Sequence, residues 1–238
     1  MKTIFAIFKK EIRLYFNSLL AHIFIAVFLA TSGFLFLQDF FLISQASMRG
    51  FFGFLPWIFM ILIPALCMRL LAEEKKMGTI ELVLTCPVQD AQLVLGKFLA
   101  ALATLTLCLV LSLGLPIVVN AFGNPDNGVI FANYFGTIFL TGFFAAIAIF
   151  ASSLSDNQII AFILAAVICF AFLLVGDSFF ADVFPGSVKS VLIFLGVQNH
   201  FFSISRGVFD SRDFLYFLSM TGFFLFLTVK NLESRKLQ

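Results

Sequence analysis

Long apolar runs without charged residues alternate with short polar segments along this chain. Six of the runs are long enough, or nearly so, for a helix to cross a hydrocarbon core of roughly 30 Å. Backbone N–H and C=O groups in lipid must form hydrogen bonds within their own segment, which favours helices. The alternation of apolar and polar residues that is typical of β-barrel strands is absent, so the runs predict helices rather than strands. The predicted spans are residues 19–37, 51–68, 98–119, 134–154, 159–176 and 214–229.

Two flanking segments are apolar in part but too polar or too short to cross. In residues 1–18 one broad helical face is apolar and the opposite face is basic, which predicts an amphipathic helix in the membrane interface. Its apolar face comprises Ile4, Phe5, Ile7, Phe8, Ile12, Tyr15 and Phe16. Residues 177–213 contain a short apolar run, 191–197, that predicts interfacial or re-entrant helices between spans five and six.

The composition excludes a soluble protein. Apolar residues make up 61% of the 238 residues, charged residues only 12%, and the mean hydropathy is +1.08. A water-soluble fold of this size cannot hide that much apolar surface, and a disordered chain needs the opposite composition. The net charge of +2 does not suggest a nucleic-acid partner. The four cysteines are scattered, which favours buried thiols over a disulfide framework or a metal site.

The distribution of basic residues predicts the orientation. With both termini in the cytoplasm, eleven of the 15 Lys and Arg residues fall on the cytoplasmic side, as the positive-inside rule favours. Residues 69–97 are then a cytoplasmic segment and residues 177–213 an extracytoplasmic one.

The spans lack the side chains of ion-coupled transport or of catalysis. Pumps place ionisable groups near the bilayer midplane, and none lies there in this chain. Glu73-Glu74 is similar to the paired glutamates of a metal-dependent membrane peptidase family, but position 78 is Gly and no suitable His follows. Gly96-Lys97 is followed by Phe98 and lacks the first glycine of a phosphate loop. If the protein transports a substrate, we expect ATP to bind to another chain.

The segment 69–97 predicts a short amphipathic helix, residues 80–85, at the membrane surface between two turns. Gly78 can adopt the left-handed conformation that ends a helix, and Thr79 suits the cap of the next one. Glu81 in its first turn is favourable against the helix dipole, and Pro87 stops the helix. The physics alone leaves two interpretations equally open: a docking element for a soluble partner, or a solvated connector.

Two motifs resemble those of a known family. The first is Glu73-x4-Gly78-Thr79-x-Glu81-x5-Pro87, followed by Gly96-Lys97-Phe98. The second is Phe201-Phe202-Ser203-x-Ser205-Arg206-Gly207-Val208-x-Asp210-x-Arg212-Asp213-x-x-Tyr216, followed by Asn231-Leu232-Glu233-Ser234-Arg235. With the six spans and the amphipathic leader, they resemble the ABC-2 type permeases of ABC transporters over nearly the whole chain. The most similar branch includes the gliding-motility permease and the copper-processing permease of nitrous-oxide reductase maturation.

The resemblance implies a function for both motifs. Residues 69–97 would carry a coupling helix that inserts into a groove of an ABC ATPase subunit, and its residues would be Glu73, Gly78, Thr79, Glu81 and Pro87. Glu74 is the neighbour that could replace Glu73 in register. The second motif would be extracytoplasmic, with Arg206, Gly207, Asp210 and Asp213.

The resemblance also implies the assembly. Residues 1–238 would form one permease domain in the cell inner membrane, paired with a second copy or a similar chain above two ATPase copies. ATP and Mg²⁺ would bind to those partners, so this chain would have no catalytic, cofactor or metal residues and would not be an enzyme. We expect export of a substrate. The alternatives are an ATPase-linked component of a motility or secretion assembly, and a channel or scaffold without an ATPase.

Overall fold

The computed structural model describes residues 2–43, 48–79, 88–177, 185–207 and 210–236. These residues form eleven α-helices and no β-strand. The helices are α1 (Lys2–Asn17), α2 (Leu19–Ile43), α3 (Arg49–Cys67), α4 (Arg69–Lys76), α5 (Asp90–Leu111), α6 (Gly114–Phe122), α7 (Asn127–Leu154), α8 (Gln158–Val175), α9 (Gly186–Leu195), α10 (Val197–Ser205) and α11 (Ser211–Lys236).

Six helical stretches of the described ranges are long and apolar enough to span a membrane. This confirms the predicted all-α membrane fold with six spans, although most stretches extend beyond the predicted limits. The stretches are Leu19–Gln38, Arg49–Lys76, Asp90–Phe122, Asn127–Leu154, Gln158–Val175 and Ser211–Ser234.

Helix α7 lies at the centre of the bundle. Its residues 140–149 and 151–153 are all buried, and α3, α4, α5, α8, α10 and α11 pack against it. Four alanines in the stretch 145–151 let these neighbours approach closely, while Phe143 fills the space towards α8 and α11. The Phe143 ring centroid lies 5.3 Å from that of Phe172 and 6.0 Å from that of Phe224. In a membrane, such close packing replaces hydrophobic burial as the force between helices.

The third span, predicted over 98–119 with a kink caused by Pro116, is interrupted close to that proline. Helix α5 ends at Leu111 and α6 begins at Gly114. Because Pro116 has no N–H, the Ser112 carbonyl four residues earlier lacks its usual donor and accepts instead from the Leu115 amide at 3.0 Å. The Tyr134 hydroxyl of α7 is a second donor to that carbonyl, at 3.1 Å. A proline and a tyrosine from another helix therefore define the break together.

Helix α1 is amphipathic, as predicted, but much of its apolar face contacts protein. It packs across the start of α5 at Gly96, where an added Cβ would lie 2.7 Å from Ile7 Cγ2. Tyr15 and Glu11 are both buried on the inner side of α1. The burial of Glu11 was not predicted from the sequence.

Two short helices, α9 and α10, connect the fifth and sixth spans, as the apolar run 191–197 predicts. Gly196 separates them and lies against Gly176 at the end of α8 so closely that an added Cβ would be 2.0 Å from Gly176 Cα. Asn199 fixes this corner by donating to the Gly176 carbonyl at 2.9 Å. Helix α10 then packs on Gly136 of α7 through Ile204.

We expect Gly96→Ala to destabilise the protein by about 1–3 kcal/mol, because the added methyl group overpacks the α1–α5 contact. Gly33→Ala is the matched control, since Gly33 is helical with no neighbouring atom within 4 Å. Alanine is the better helix former, so the control is expected to be neutral or slightly stabilising. Thermal unfolding in mild detergent measures both variants. An equal unfolding temperature for the Gly96→Ala and Gly33→Ala variants would contradict the close packing of α1 on α5.

Candidate functional site

A buried lysine holds α1, α4 and α5 together at the end of the bundle where α11 ends. Lys97 of α5 has a side chain that is 1% exposed, and its Nζ lies 2.9 Å from both Glu11 Oε1 and Glu74 Oε1. Lys10 Nζ approaches Glu74 Oε1 at 3.4 Å. We call Lys10, Glu11, Glu74 and Lys97 the charge cluster; its formal charges sum to zero. Removal of one partner would leave an uncompensated buried charge, which is strongly destabilising.

The junction between α3 and α4 is bridged by a serine of the central helix. The chain turns at Met68, so the first amide groups of α4 lack partners within a helix. Ser152 Oγ of α7 accepts hydrogen bonds from the amides of Leu71 at 3.1 Å and Ala72 at 3.0 Å. The same hydroxyl donates to the Met68 carbonyl at 2.7 Å. One side chain thus forms hydrogen bonds with backbone groups on both sides of the break.

Ser153, the next residue of α7, connects α4 and α11 to the central helix. The Ser153 carbonyl accepts from Lys75 Nζ of α4 and, at 2.7 Å, from Asn231 Nδ2 of α11. Asn231 Nδ2 also lies 3.0 Å from Ser153 Oγ. We call Ser152, Ser153 and Asn231 the serine clasp. The clasp and the charge cluster hold α4 from two sides.

A recess of about 440 Å³ lies between α1 and α4. Glu73, Glu74 and Thr79 line it, together with Lys10, Glu11, Leu14, Tyr15, Asn17, Ser18, Arg69, Leu70, Met77 and Lys97. Arg69 Nη2 donates to Ser18 Oγ at 3.0 Å, and its guanidinium stacks over the Tyr15 ring at 5.3 Å. Burial raises the pKa of the Tyr15 phenol well above its ordinary value, so the group is neutral and donates to the Leu66 carbonyl at 3.4 Å.

The structure places four of the six predicted coupling residues around the end of α4. Gly78 has a φ of +67°, the left-handed conformation predicted for a helix end. Thr79 Oγ1 donates to the Glu74 carbonyl at 3.2 Å and so caps α4 at its C-terminal end. Glu73 and Glu74 face the recess. Glu81 and Pro87, with the predicted helix over 80–85, lie outside the described residues.

The second motif builds the turn between α10 and α11. Gly207 has a φ of +82°, directly after Arg206 at the end of α10. The Asp210 carboxylate accepts from the Arg212 amide at 2.9 Å at the start of α11. Asp213 lies inside the first turn and its Oδ1 is 2.7 Å from His200 Nδ1. All four motif residues therefore lie where one short connection is shaped, at the opposite end of the bundle from the charge cluster.

His200 binds this second motif to α9. Its Nε2 lies 2.9 Å from the Phe194 carbonyl, and its ring stacks on Tyr216 with centroids 4.1 Å apart. The Tyr216 hydroxyl donates to the Leu195 carbonyl at 2.6 Å. These contacts anchor the last span to the short helices before it. Within the described ranges no three His, Cys, Asp or Glu side chains converge as a metal ion would require.

Sequence reasoning missed the charge cluster and the serine clasp. One signal was present: Glu11 is four residues after Ile7 and four before Tyr15, so this lone acid lies on the apolar face of the leader helix. Lys97 lies near the start of an apolar run, follows the first motif and counts among the basic residues of the predicted cytoplasmic side, but none of these features indicates its buried partners. Ser152, Ser153 and Asn231 carry no sequence signal of their contacts, because their partners are about 80 residues away.

Comparisons with known proteins identify the family. A family model described as ABC-2 family transporter protein matches residues 5–189, which is well over half of the chain. A search of curated proteins gives no match. The matched region contains most of α1, the charge cluster and the first five spans. The family is one of transporters rather than enzymes, and its permeases generally work with an ABC ATPase subunit. The chain therefore belongs to the ABC-2 transporter family and is a multi-pass membrane permease subunit of an ABC transporter.

Proposed function

We propose that this permease receives the movement of a separate ATPase through α4 and the residues that follow it. Two ATPase copies bind ATP and Mg²⁺ below the membrane, and two permease copies, identical or similar, form one export path. Residues 69–97 and both termini then face the cytoplasm, and the protein resides in the cell inner membrane. The excess of basic residues on that side supports the orientation.

The attachment of α4 on two sides is the observation that carries the proposal. An isolated helix of eight residues is too short to be stable in water, so α4 depends on its contacts. The charge cluster joins it to α1 and α5, and the serine clasp joins it to α7 and α11. A force on the residues that continue from α4 would therefore move these helices together rather than bend α4 alone.

Such a connection suits a rigid-body mechanism. Closure of the ATPase pair would push α4, and the bundle would rock between states that open to opposite sides. Close packing around α7 supports this view, because packed interiors transmit displacement instead of absorbing it. The chain itself contributes force transmission and the lining of the path. The branch of permeases that its motifs resemble stays a prediction.

Glu73 lies beside the recess, and its charge is expected to matter for docking. We expect Glu73→Lys to reduce co-purification of the ATPase and substrate-dependent ATP hydrolysis several-fold, with normal insertion of the permease. Glu233→Lys is the control, because Glu233 is an exposed acid at the end of α11 outside the proposed docking segment. The measurement uses the complex purified in mild detergent. Wild-type recruitment and transport in a Glu73→Lys/Glu81→Lys double variant would contradict docking at this segment.

Ser152 links α4 to the central helix. We expect Ser152→Ala to retain the ATPase but to transport less substrate per ATP hydrolysed, since the α3–α4 break loses its bridge. The two buried amides left without an acceptor should also lower stability by about 1–3 kcal/mol. Thr137→Ala is the control on the same helix, because the Thr137 hydroxyl donates only to the Asn133 carbonyl of α7 itself, at 2.7 Å. A coupling ratio unchanged from the control would rule out transmission through Ser152.

The orientation is testable with single cysteines in a variant whose four native cysteines are replaced by serine. We expect Asn124→Cys, between α6 and α7, to react with an impermeant maleimide added to intact cells. Lys76→Cys, on α4, should react only after permeabilisation. Both positions are exposed in the folded chain, so burial does not explain a difference between them. The opposite labelling pattern would overturn the proposed topology.

A further inference from the structure

An apolar groove of about 720 Å³ runs between α1 and α5, on the side away from the charge cluster. Ile4, Phe5 and Phe8 of α1 form one wall, and the face of α5 from Leu99 to Thr106 forms the other. The hydroxyl of Thr106 donates to the Leu102 carbonyl at 2.7 Å and is thus already bonded within α5. The groove therefore offers apolar contacts without a free polar group from its own wall.

The groove opens towards the region where the bilayer must lie. The α5 wall belongs to the third membrane span, and Phe5 and Leu99 at the rim are 65% and 41% exposed. Gly96 brings α1 close to α5 at one point, and the groove lies between the two helices beside this contact. An open apolar space in a membrane-embedded region fits a hydrocarbon chain, and its volume is in the range of known ligand sites.

Three cations lie along the exposed side of α1 next to this groove. Lys2 is three residues before Phe5 and Lys9 is four after it, so both lie beside Phe5, where the apolar face of the helix borders the basic one. Arg13 follows Lys9 by one more step of four residues. All three are exposed, and none of them forms an ion pair with the residues that the structure describes. Lys10, by contrast, is engaged in the charge cluster.

We propose that this groove and these cations form a binding site for an anionic glycerophospholipid. One acyl chain lies in the groove against Phe5, Phe8 and Leu99. The phosphate-bearing headgroup lies over Lys2, Lys9 and Arg13, where a negative lipid surface attracts basic side chains on an amphipathic helix. The three cations favour a lipid whose headgroup carries a net negative charge over a zwitterionic one. The apolar groove favours a lipid, which has an acyl chain, over a free anion, which has none.

The site has a consequence for α1. The same helix presents Glu11 to the buried Lys97 on its inner side, at 2.9 Å. A lipid in the groove fills the space on the other side of the α1–α5 contact and holds α1 against the bundle. Anionic lipid is thereby expected to stabilise the folded permease more than the same amount of zwitterionic lipid does.

The chain has a single tryptophan, Trp57, so one substitution gives a background without tryptophan fluorescence in which a new tryptophan can report on the groove. In a Trp57→Phe background, Leu99→Trp places a fluorophore at the rim of the groove. The variant is reconstituted in bilayers that contain brominated phosphatidylglycerol or brominated phosphatidylcholine, whose acyl chains quench a tryptophan in contact with them. We expect phosphatidylglycerol to occupy the rim position at least about fivefold more effectively, the effect of about one cation near an anionic surface.

Ile163→Trp in the same background is the matched control. Ile163 is 53% exposed on α8, another apolar helix face of the bundle, and is expected to show no lipid preference. Lys2→Gln/Lys9→Gln/Arg13→Gln should abolish the preference at position 99 while quenching at position 163 stays unchanged, which also shows that the variant is folded. Equal quenching by the two lipids at position 99, or a preference that survives the triple change, would overturn the proposal. Displacement of the brominated lipid by inorganic phosphate would assign the site to a free anion and overturn it as well.

Discussion

The buried ammonium group of Lys97 determines how the helices are arranged at the end of the bundle that contains α4. Lys97 is almost fully enclosed, and a charge in such surroundings is tolerated only when it is paired and hydrogen-bonded. Its two carboxylate partners come from α1 and α4, which are otherwise far apart in sequence. The cost of leaving any of these charges unpaired therefore determines where both short helices lie. Gly96, the residue before Lys97, gives α1 the space to reach it.

A second constraint is the need to satisfy backbone groups where a helix breaks inside an apolar environment. In the membrane each unsatisfied group costs several kcal/mol, so breaks require partners from neighbouring helices. Helix α7 provides them at both of its ends: Ser152 for the break before α4, and Tyr134 for the break before α6. Asn133 donates further to the Ser205 carbonyl of α10 at 3.3 Å. The central helix α7 therefore holds the places where other helices break or end.

These two constraints together fix the position of α4 against the bundle. A short helix at the surface is held by ionic contacts on one side and by hydrogen bonds to α7 on the other. The same central helix contacts the sixth span through Ser153 and Asn231. At the far end, His200 and Asp213 tie the sixth span to α10. Hydrogen-bonded and packed groups thus connect α4 continuously with the opposite end of the bundle.

The sequence by itself determined the features that depend on neighbouring residues. The six spans follow from the length of charge-free runs, and Gly78 ends α4 because only glycine adopts a positive φ without strain. The helical leader follows from its own periodicity. Tertiary structure alone decided which face of that leader is buried, because Glu11 is stabilised there by Lys97, 86 positions along the chain. It also decided how α4 is attached to the bundle, since Ser152 and Asn231 act on groups that only folding brings within hydrogen-bonding distance. The break in the third span, by contrast, is already indicated by Pro116 in the sequence.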